Sequence, residues 1–231
     1  MFTGIVQATA LLATIEDRPG LRTFTIEFPD GFCRDLAIGA SVAVDGVCLT
    51  VTEIVSPTQA RFDVMQQSLA ITTLGGYVQG QRVNVERAAK DGAEIGGHPL
   101  SGHVDGVGTL IERRVLDNNL VWRIAAPPAL RPYLFAKGYV AIHGASLTLA
   151  DVQREEGWFE IWLIPETRRA TVFEQVQVGD PLNIEIERST QVLVDTVRET
   201  VQAHLRDYLR EHLQELLAAG LPERGAAPPR A

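Results

Sequence analysis

The middle of this 231-residue chain reads Gly96-Gly97-His98-Pro99-Leu100-Ser101-Gly102-His103-Val104-Asp105-Gly106-Val107-Gly108. Its five glycines let the backbone bend and approach other groups closely, and its two histidines can change protonation near neutral pH. The stretch also resembles the start of the chain, because Ser101-Gly102-His103-Val104 is similar to Thr3-Gly4-Ile5-Val6, 98 residues earlier. This spacing predicts that the chain contains a long repeat.

Three more pairs of segments keep the same order at nearly the same separation. They are Val44–Val51 with Ile142–Leu149 (98 residues apart), Val83–Glu86 with Leu182–Glu185 (99 apart) and Phe62–Val64 with Phe159–Ile161 (97 apart). A period of this length far exceeds the unit of a solenoid, so it indicates two complete domains of one fold. We assign residues 1–97 to the first domain and residues 98–188 to the second.

Each half has the pattern of a small β-structure. Runs of β-branched residues and turn signals such as Asp17-Arg18-Pro19-Gly20 predict strands over 4–14, 22–28, 41–44, 49–54, 61–65 and 83–86 in the first half. Segments 68–72 and 166–171 are expected to be short helices. About six short strands per half fit a small antiparallel barrel. The predicted fold class is therefore all-β, with two tandem six-stranded antiparallel barrels and a C-terminal α-helix.

The pattern changes after residue 188. No Gly or Pro occurs from Ser189 to Ala219, and apolar residues recur at helical spacing: Val194, Val197, Val201, Leu205, Leu209, Leu213 and Leu216. We expect a helix that begins at Ser189 or Thr190 and stops at Gly220, before a disordered tail that ends at residue 231. The apolar stripe either lies on its own barrel or, as we expect, meets other copies in a two- or three-stranded bundle.

Composition excludes several classes of protein. Apolar residues make up 45% and charged residues 22% of the chain, which is typical of a globular protein. The net charge of −8 argues against binding to nucleic acid or to an anionic membrane. We expect a cytoplasmic protein, because the sequence shows neither a secretory signal nor a membrane-spanning run. The two cysteines, Cys33 and Cys48, lack zinc-binding spacing, and we expect neither a metal nor a cofactor.

Five motifs occur in one order and spacing: Met1–Val6, Gly46–Val51, Val83–Ala88, Gly96–Gly106 and Leu163–Thr167. Together they resemble the riboflavin synthases of the alpha-chain type, from residue 1 to about residue 200. The resemblance implies two Greek-key barrels that each bind one 6,7-dimethyl-8-ribityllumazine, and a C-terminal helix that holds a homotrimer. The implied reaction transfers four carbons between two lumazines. It yields riboflavin and 5-amino-6-ribitylamino-2,4-pyrimidinedione without metal or cofactor, and an association with lumazine synthase is a further implication.

A duplicated barrel suits such a reaction. Two copies of one substrate need two similar sites held face to face, and this pairing removes much of the entropic barrier. In the family, the productive pair joins the first barrel of one subunit to the second barrel of its neighbour. Which barrel holds the donor, and whether water, a ribityl hydroxyl or a side chain attacks first, stay open.

The resemblance assigns catalytic roles to Ser41, Cys48, His103, Lys137 and Glu187. His103 stands at the repeat position of Ile5, so the two sites differ where an imidazole could move protons. Each candidate also has a structural explanation: a hydrogen-bonded histidine, a buried small side chain, a strand-edge serine or a solvated lysine. His98 precedes a proline, and we assign it to structure. Gln67, His143 and Glu187 depart from the family, which commonly has Glu, Asp and Asp there.

The resemblance also assigns substrate contacts to short groups of residues in both halves. They are Gly4, Ile5, Val6, Cys48, Leu49, Thr50, Asp63, Val64, Met65, Gln66, Gln67, Ser68, Gly102, His103, Val104, Lys137, Ser146, Leu147, Thr148, Leu163, Ile164, Pro165, Glu166, Thr167 and Arg168. Small polar residues at equivalent repeat positions, such as Cys48 and Ser146, can face a substrate ring.

Two other functions are compatible with a duplicated barrel. A non-catalytic module would carry a lumazine or a flavin, as antenna proteins with this barrel do. Those proteins lose much of the Gly-Gly-His to Ser-Gly-His stretch, which is intact here. A flavin oxidoreductase of similar barrel type would need a Gly-rich strand-to-helix turn, and none is present.

Overall fold

The computed structural model describes residues 1–218, and Met1–Thr190 form one compact unit that contains two closed barrels. The first barrel consists of β1 (Ala8–Arg18), β2 (Leu21–Glu27), β3 (Ser41–Val44), β4 (Val47–Ser56), β5 (Gln59–Met65) and β6 (Arg82–Arg87). The second consists of β7 (Gly106–Leu116), β8 (Asn119–Ala125), β9 (Tyr139–Ile142), β10 (Ala145–Gln153), β11 (Trp158–Leu163) and β12 (Pro181–Ile186). Short helices α1 (Gln66–Ile71) and α2 (Pro165–Ala170) follow β5 and β11.

Both barrels have the same topology. The strands close in the orders β1-β2-β5-β4-β3-β6 and β7-β8-β11-β10-β9-β12, with antiparallel neighbours. Strands β3, β4 and β5 are joined in sequence, and β2 lies beside β5, which is a Greek key. Alternate residues of each strand fill a separate core in each barrel. The predicted fold class, two tandem six-stranded antiparallel barrels, is confirmed.

The strand registers correct one repeat match. Phe62 lies opposite Phe24 on β2 and opposite Val51 on β4. The residue in the same place in the second barrel, opposite both β8 and β10, is Ile161. Phe62 therefore corresponds to Ile161, 99 residues later, and the match to Phe159 is wrong. A strand of alternating apolar residues resembles itself after a shift of two positions, which explains the error.

Two short segments exchange between the barrels, and we call them the first leader (Thr3–Val6) and the second leader (Ser101–Val104). The backbone N–H of Ser146 in the second barrel donates to Gly4 O (2.8 Å). Symmetrically, Cys48 N in the first barrel donates to Gly102 O (2.8 Å). Each leader also packs its valine against the other repeat's core. The expectation of a strand from residue 4 is thus wrong, and β1 begins at Ala8; the expected domain boundaries stay a prediction.

The barrels meet around a pseudo-twofold axis. Gly46 and Gly144 face each other there, and a Cβ on Gly46 would lie 2.7 Å from Gly144 N. Two buried asparagines connect the barrels on either side. The Nδ2 of Asn84 donates to His143 O (3.0 Å), and the Nδ2 of Asn183 donates to Asp45 O (2.9 Å). These contacts leave no space at the axis for a side chain, so glycine is required at both turns.

The departure at His143 has a local cause. In the first barrel, the buried Asp45 carboxylate accepts hydrogen bonds from Tyr77 OH (2.5 Å) and Asn84 N (2.7 Å). Val176 occupies the place of Tyr77 in the second barrel, so no hydroxyl needs an acceptor there. The ring Nδ1 of His143 lies 3.4 Å from the one remaining donor, a backbone N–H. The Nδ1 of His143 can therefore take the place of the carboxylate oxygen as the acceptor for this N–H.

A long helix, α3 (Arg188–Ala218), follows the barrels. Along it, large apolar side chains are exposed: Val192, Leu193, Val197, Val201, Leu205, Tyr208, Leu209 and Leu213. The expected stop at Gly220 and the disordered tail lie outside the described residues. Within residues 1–218, none of the helices combines the length and apolarity that crossing a bilayer requires.

Candidate active site

Each barrel presents a matching outer face, formed by residues that alternate with its core positions. The first face consists of Ser41, Cys48, Thr50, Asp63 and Met65. The second face consists of the residues at equivalent places, Tyr139, Ser146, Thr148, Trp162 and Ile164. The two faces share their geometry but differ in chemistry, since Tyr139 and Trp162 on the second face stand where the first face has Ser41 and Asp63.

The second leader completes the first face. Gly102 has a φ of +78° and lies so close to Cys48 that a Cβ on the glycine would be 2.6 Å from Cys48 Cβ. Glycine is therefore required, and the next residue along the chain, His103, presents an exposed imidazole. Cys48 is a free, half-buried thiol. The structure thus brings the two predicted residues Cys48 and His103 to one place, although they come from different repeats.

A buried carboxylate anchors each leader. Glu185 on β12 accepts hydrogen bonds from Ser101 N (2.7 Å), Ser101 Oγ (2.7 Å) and Gly102 N (3.0 Å). Glu86 on β6 binds the first leader through the same three kinds of bond. Burial raises the pKa of both glutamates above the ordinary value, while these hydrogen bonds act in the opposite direction. Sequence reasoning did not select either residue, although both belong to the repeated Asn-x-Glu motif.

The first leader completes the second face. Ser146 is enclosed by two glycines, because a Cβ on Gly4 or on Gly97 would lie 2.6 or 2.7 Å from Ser146 Cβ. Ile5 follows and is about half exposed. Where the first face has the imidazole of His103, the second face therefore has an apolar side chain. The predicted difference between the two sites at this repeat position is present, with His103 at the first barrel.

His98, which we assigned to structure, contacts the second face. Its Nδ1 lies 2.6 Å from Ser146 Oγ, and its ring stacks on Tyr139. Its Nε2 is buried and has no hydrogen-bond partner among the described residues. Burial lowers the pKa of His98, and the charge of Glu187 opposes this effect. A neutral imidazole beside a serine hydroxyl can accept its proton, which the sequence alone did not indicate.

Glu187 is held at the start of α3. Its carboxylate accepts hydrogen bonds from Ser189 N (3.0 Å), Thr190 N (2.7 Å) and Thr190 Oγ1 (2.7 Å), which makes it the N-cap. The expectation that Ser189 or Thr190 caps the helix is therefore wrong. Burial alone would raise the pKa of Glu187, but hydrogen bonds from Thr190 and Ser189 outweigh burial and hold that pKa at about 2.

Lys137 borders a cavity of about 470 Å³ on the second barrel, together with Thr148, Asp151, Glu160 and Trp162. Its backbone has a φ of +69°, whereas its repeat equivalent, residue 39, is a glycine. A side chain in this left-handed conformation costs about 1–2 kcal/mol. The catalytic role of Lys137 stays a prediction.

The predicted substrate contacts divide into two sets. Near the first face are Leu49, Val64, Gln66, Gln67, Ser68 and Val104; near the second are Val6, Leu147, Leu163, Pro165, Glu166, Thr167 and Arg168. Leu49, Val64, Leu147 and Leu163 are buried in the cores, so their side chains face away from any ligand on these faces. Trp162 was missed, because the incorrect register matched Glu160 to Asp63. Within residues 1–218, no group of three or more His, Cys, Asp or Glu could hold a metal ion.

A family model described as "Lumazine binding domain" matches the chain twice, over residues 3–88 and 101–187. Among curated proteins, riboflavin synthase of Escherichia coli K12 is 43% identical over 204 residues, which cover 88% of this chain and 94% of the relative. Riboflavin synthase of Chlamydia pneumoniae is 40% identical over 198 residues, which cover 86% and 96%.

A solved structure with the same fold is that of LumP complexed with riboflavin. It superposes with a TM-score of 0.75 at 24% sequence identity and covers 81% of this chain and 100% of that chain. The complex of LumP with 6,7-dimethyl-8-(1'-D-ribityl)lumazine superposes with a TM-score of 0.73.

Proposed function

This chain belongs to the riboflavin synthase family, and from that premise we propose that it is a transferase of riboflavin biosynthesis. It converts two molecules of 6,7-dimethyl-8-ribityllumazine into riboflavin and 5-amino-6-ribitylamino-2,4-pyrimidinedione. In this dismutation one lumazine gives a four-carbon unit to the other. No metal or cofactor is part of the proposal.

One observation supports this reaction above the others: two equivalent faces, each completed by the leader of the other repeat. A dismutation needs two copies of one molecule in similar sites but with different chemical treatment. The shared backbone geometry supplies the similarity. The difference comes from His103 on the first face and the Ser146–His98 pair on the second.

We assign roles to the predicted residues on this basis. His103 transfers protons at the first face, where Cys48 and Ser41 contact the ring. The hydroxyl of Ser146, which forms a hydrogen bond with His98, is the polarised hydroxyl of the second face. Lys137 contacts the substrate at its cavity. Glu187 acts indirectly, because its carboxylate already caps α3 and its charge acts on His98.

The proposal includes a homotrimer joined through α3. Its support is the row of exposed apolar side chains on that helix, which needs a cover that a partner helix can provide. The first face of one subunit then opposes the second face of its neighbour. Sedimentation velocity of the full chain, compared with a chain truncated after residue 188, tests this assembly. A fully active monomer would contradict the paired site. A cytoplasmic location and an association with lumazine synthase complete the proposal.

The reaction is tested by mixing the purified protein with 6,7-dimethyl-8-ribityllumazine and following riboflavin absorbance. The proposal expects turnover in buffer with a metal chelator. His103→Ala should lower kcat more than it changes KM, because the imidazole moves protons and does not hold the ligand. Equal changes in both constants would indicate a packing role for His103, and no turnover by the parent chain would overturn the enzyme.

A second candidate is a ligand carrier, favoured by the shared fold with LumP. It predicts a tightly bound lumazine or flavin that co-purifies with the chain and is not converted. The intact second leader, with His103 in place at the first face, favours the enzyme.

A further inference from the structure

We propose that Trp162 is the aromatic surface on which the bicyclic ring of one of the two substrates stacks, at the second face. This inference rests on the proposed function and adds to it a residue that sets affinity. Of the three tryptophans, Trp122 is fully buried and Trp158 lies under the guanidinium of Arg123. Trp162, in contrast, leaves 47% of its surface exposed. An indole this exposed on a rigid strand has apolar area available for a ligand.

The indole is held in one orientation. Its Nε1 donates to Glu160 Oε1 (3.0 Å), two residues earlier on the same side of β11. The other oxygen of that carboxylate forms ion pairs with Arg114 and, at 3.6 Å, with Arg123. Only 12% of the Glu160 side chain is exposed, so the acceptor itself is well fixed. Because the ring is held before a ligand arrives, stacking on it costs little conformational entropy.

The neighbours of the indole match a flat, polar heterocycle. Trp162 borders the cavity of about 470 Å³ that Lys137 and Thr148 also line. The ammonium group and the hydroxyl can donate hydrogen bonds to ring carbonyls, while the indole covers a ring face. Aromatic faces of this kind bind nucleobases by stacking without selecting the sequence, and a pteridine has the same flat π-surface.

The first face has no such surface. Asp63 stands at the position of Trp162, and its Oδ1 accepts a hydrogen bond from Thr23 Oγ1 (2.7 Å). A ligand at that face meets a carboxylate where the ligand at the second face meets an indole. Stacking on Trp162 therefore makes one of the two substrate sites tighter than the other, and we infer that the second barrel is filled first.

Fluorescence and kinetics test this inference together. Titration with 6,7-dimethyl-8-ribityllumazine or riboflavin should quench tryptophan emission in the parent chain. Trp158→Phe, the matched control on the same strand, should keep that quenching, whereas Trp162→Phe should lose most of it. Trp162→Leu should weaken the tighter of two binding events by about 5- to 100-fold, the range that loss of one stacked ring produces. Trp162→Phe should restore most of that affinity.

The possible results distinguish failure of the stacking inference from failure of the proposed function. Unchanged binding by Trp162→Leu, or full quenching by Trp162→Phe, would overturn the stacking role and leave the enzyme untouched. Absence of turnover in the parent chain, with quenching that depends on Trp162, would overturn the enzyme and leave the binding surface. Far-UV circular dichroism and urea midpoints show whether the variants keep the fold, which we expect because the indole is on the surface.

Discussion

Replacing Glu185 by glutamine tests whether the position of the second leader controls catalysis. The carboxylate accepts three hydrogen bonds, two from Ser101 at 2.7 Å and one from Gly102 N at 3.0 Å. A glutamine keeps one oxygen for Ser101 but turns its amide NH₂ group toward the N–H of Gly102. The Glu185→Gln chain therefore loses at least one charge-assisted hydrogen bond, worth about 1.5–3 kcal/mol.

The net loss of stability is smaller than that bond. Burial raises the pKa of Glu185, which means that the buried charge itself disfavours folding at neutral pH, and glutamine removes that cost. We expect the free energy of unfolding to fall by about 1–2 kcal/mol, which a domain with about 5–15 kcal/mol tolerates. Gly102, however, is released from its anchor, and His103 moves with it. A shift of about 1 Å in a reacting group costs about 100-fold in rate, so kcat should fall by about that factor.

The assay is steady-state formation of riboflavin from 6,7-dimethyl-8-ribityllumazine, with urea unfolding followed by circular dichroism on the same samples. Glu86→Gln is the matched control, because it removes the same set of bonds from the first leader and displaces Ile5 instead of His103. The control should lose the same stability but raise KM more than it lowers kcat. If Glu185→Gln keeps at least half of the parent kcat while the two variants lose equal stability, leader position does not limit turnover and the argument fails.

Three further outcomes can be measured on the purified chain. Glu187→Ala should lower the free energy of unfolding at pH 7 by about 1 kcal/mol, as loss of an N-cap does. The folded pKa of Glu187, about 2, lies below the ordinary 4.5, so this stabilisation is present above pH 4.5 and is lost as pH falls toward 2. A difference in urea unfolding between the two chains that grows on acidification would contradict this. Gly46→Ala should lower the free energy of unfolding in urea by at least about 3 kcal/mol, because it adds a steric clash to the strain of a positive φ. Gly39→Ala, at a position with a similar φ but open space, should lower it by about 1–2 kcal/mol. Equal losses would mean that the barrels can separate at the axis. Iodoacetamide should label Cys48 faster than Cys33, since Cys33 is buried and burial raises the pKa of its thiol. Bound lumazine should slow the labelling of Cys48 alone, as measured by mass spectrometry. Faster labelling of Cys33 would contradict this.

The barrels could be predicted from the sequence because alternation and repetition are visible in short stretches. The course of the leaders could not. Thr3–Val6 has the β-branched composition of a strand, and its partners are distant: Glu86 lies 82 residues from Gly4, and Ser146 belongs to the other repeat. A local pattern predicts that a segment is extended but does not say which barrel it joins.

The candidate site, too, could be predicted from the sequence only in part. Cys48 and Ser146 were selected because the repeat aligns them, and their strands do carry them to equivalent faces. The proline after His98 suggests a structural role, and the sequence gives no sign of its hydroxyl partner, Ser146, which is 48 residues away. A two-residue error of register pairs Trp162 with Met65 instead of Asp63, which conceals the contrast between an indole and a carboxylate at this position. Both omissions concern contacts between separate segments of the chain, which short-range patterns do not determine.

The exchanged leaders bear on how such a chain could arise. A lone barrel would carry its own leader but nothing to receive it, and its Cys48 face would lack the strand-like edge that only a second copy provides. Before the two halves were fused, the ancestral barrel would have needed to pair with a twin. Fusion made that pairing permanent. Only in a fused chain can the same repeat position be isoleucine in one half (Ile5) and histidine in the other (His103).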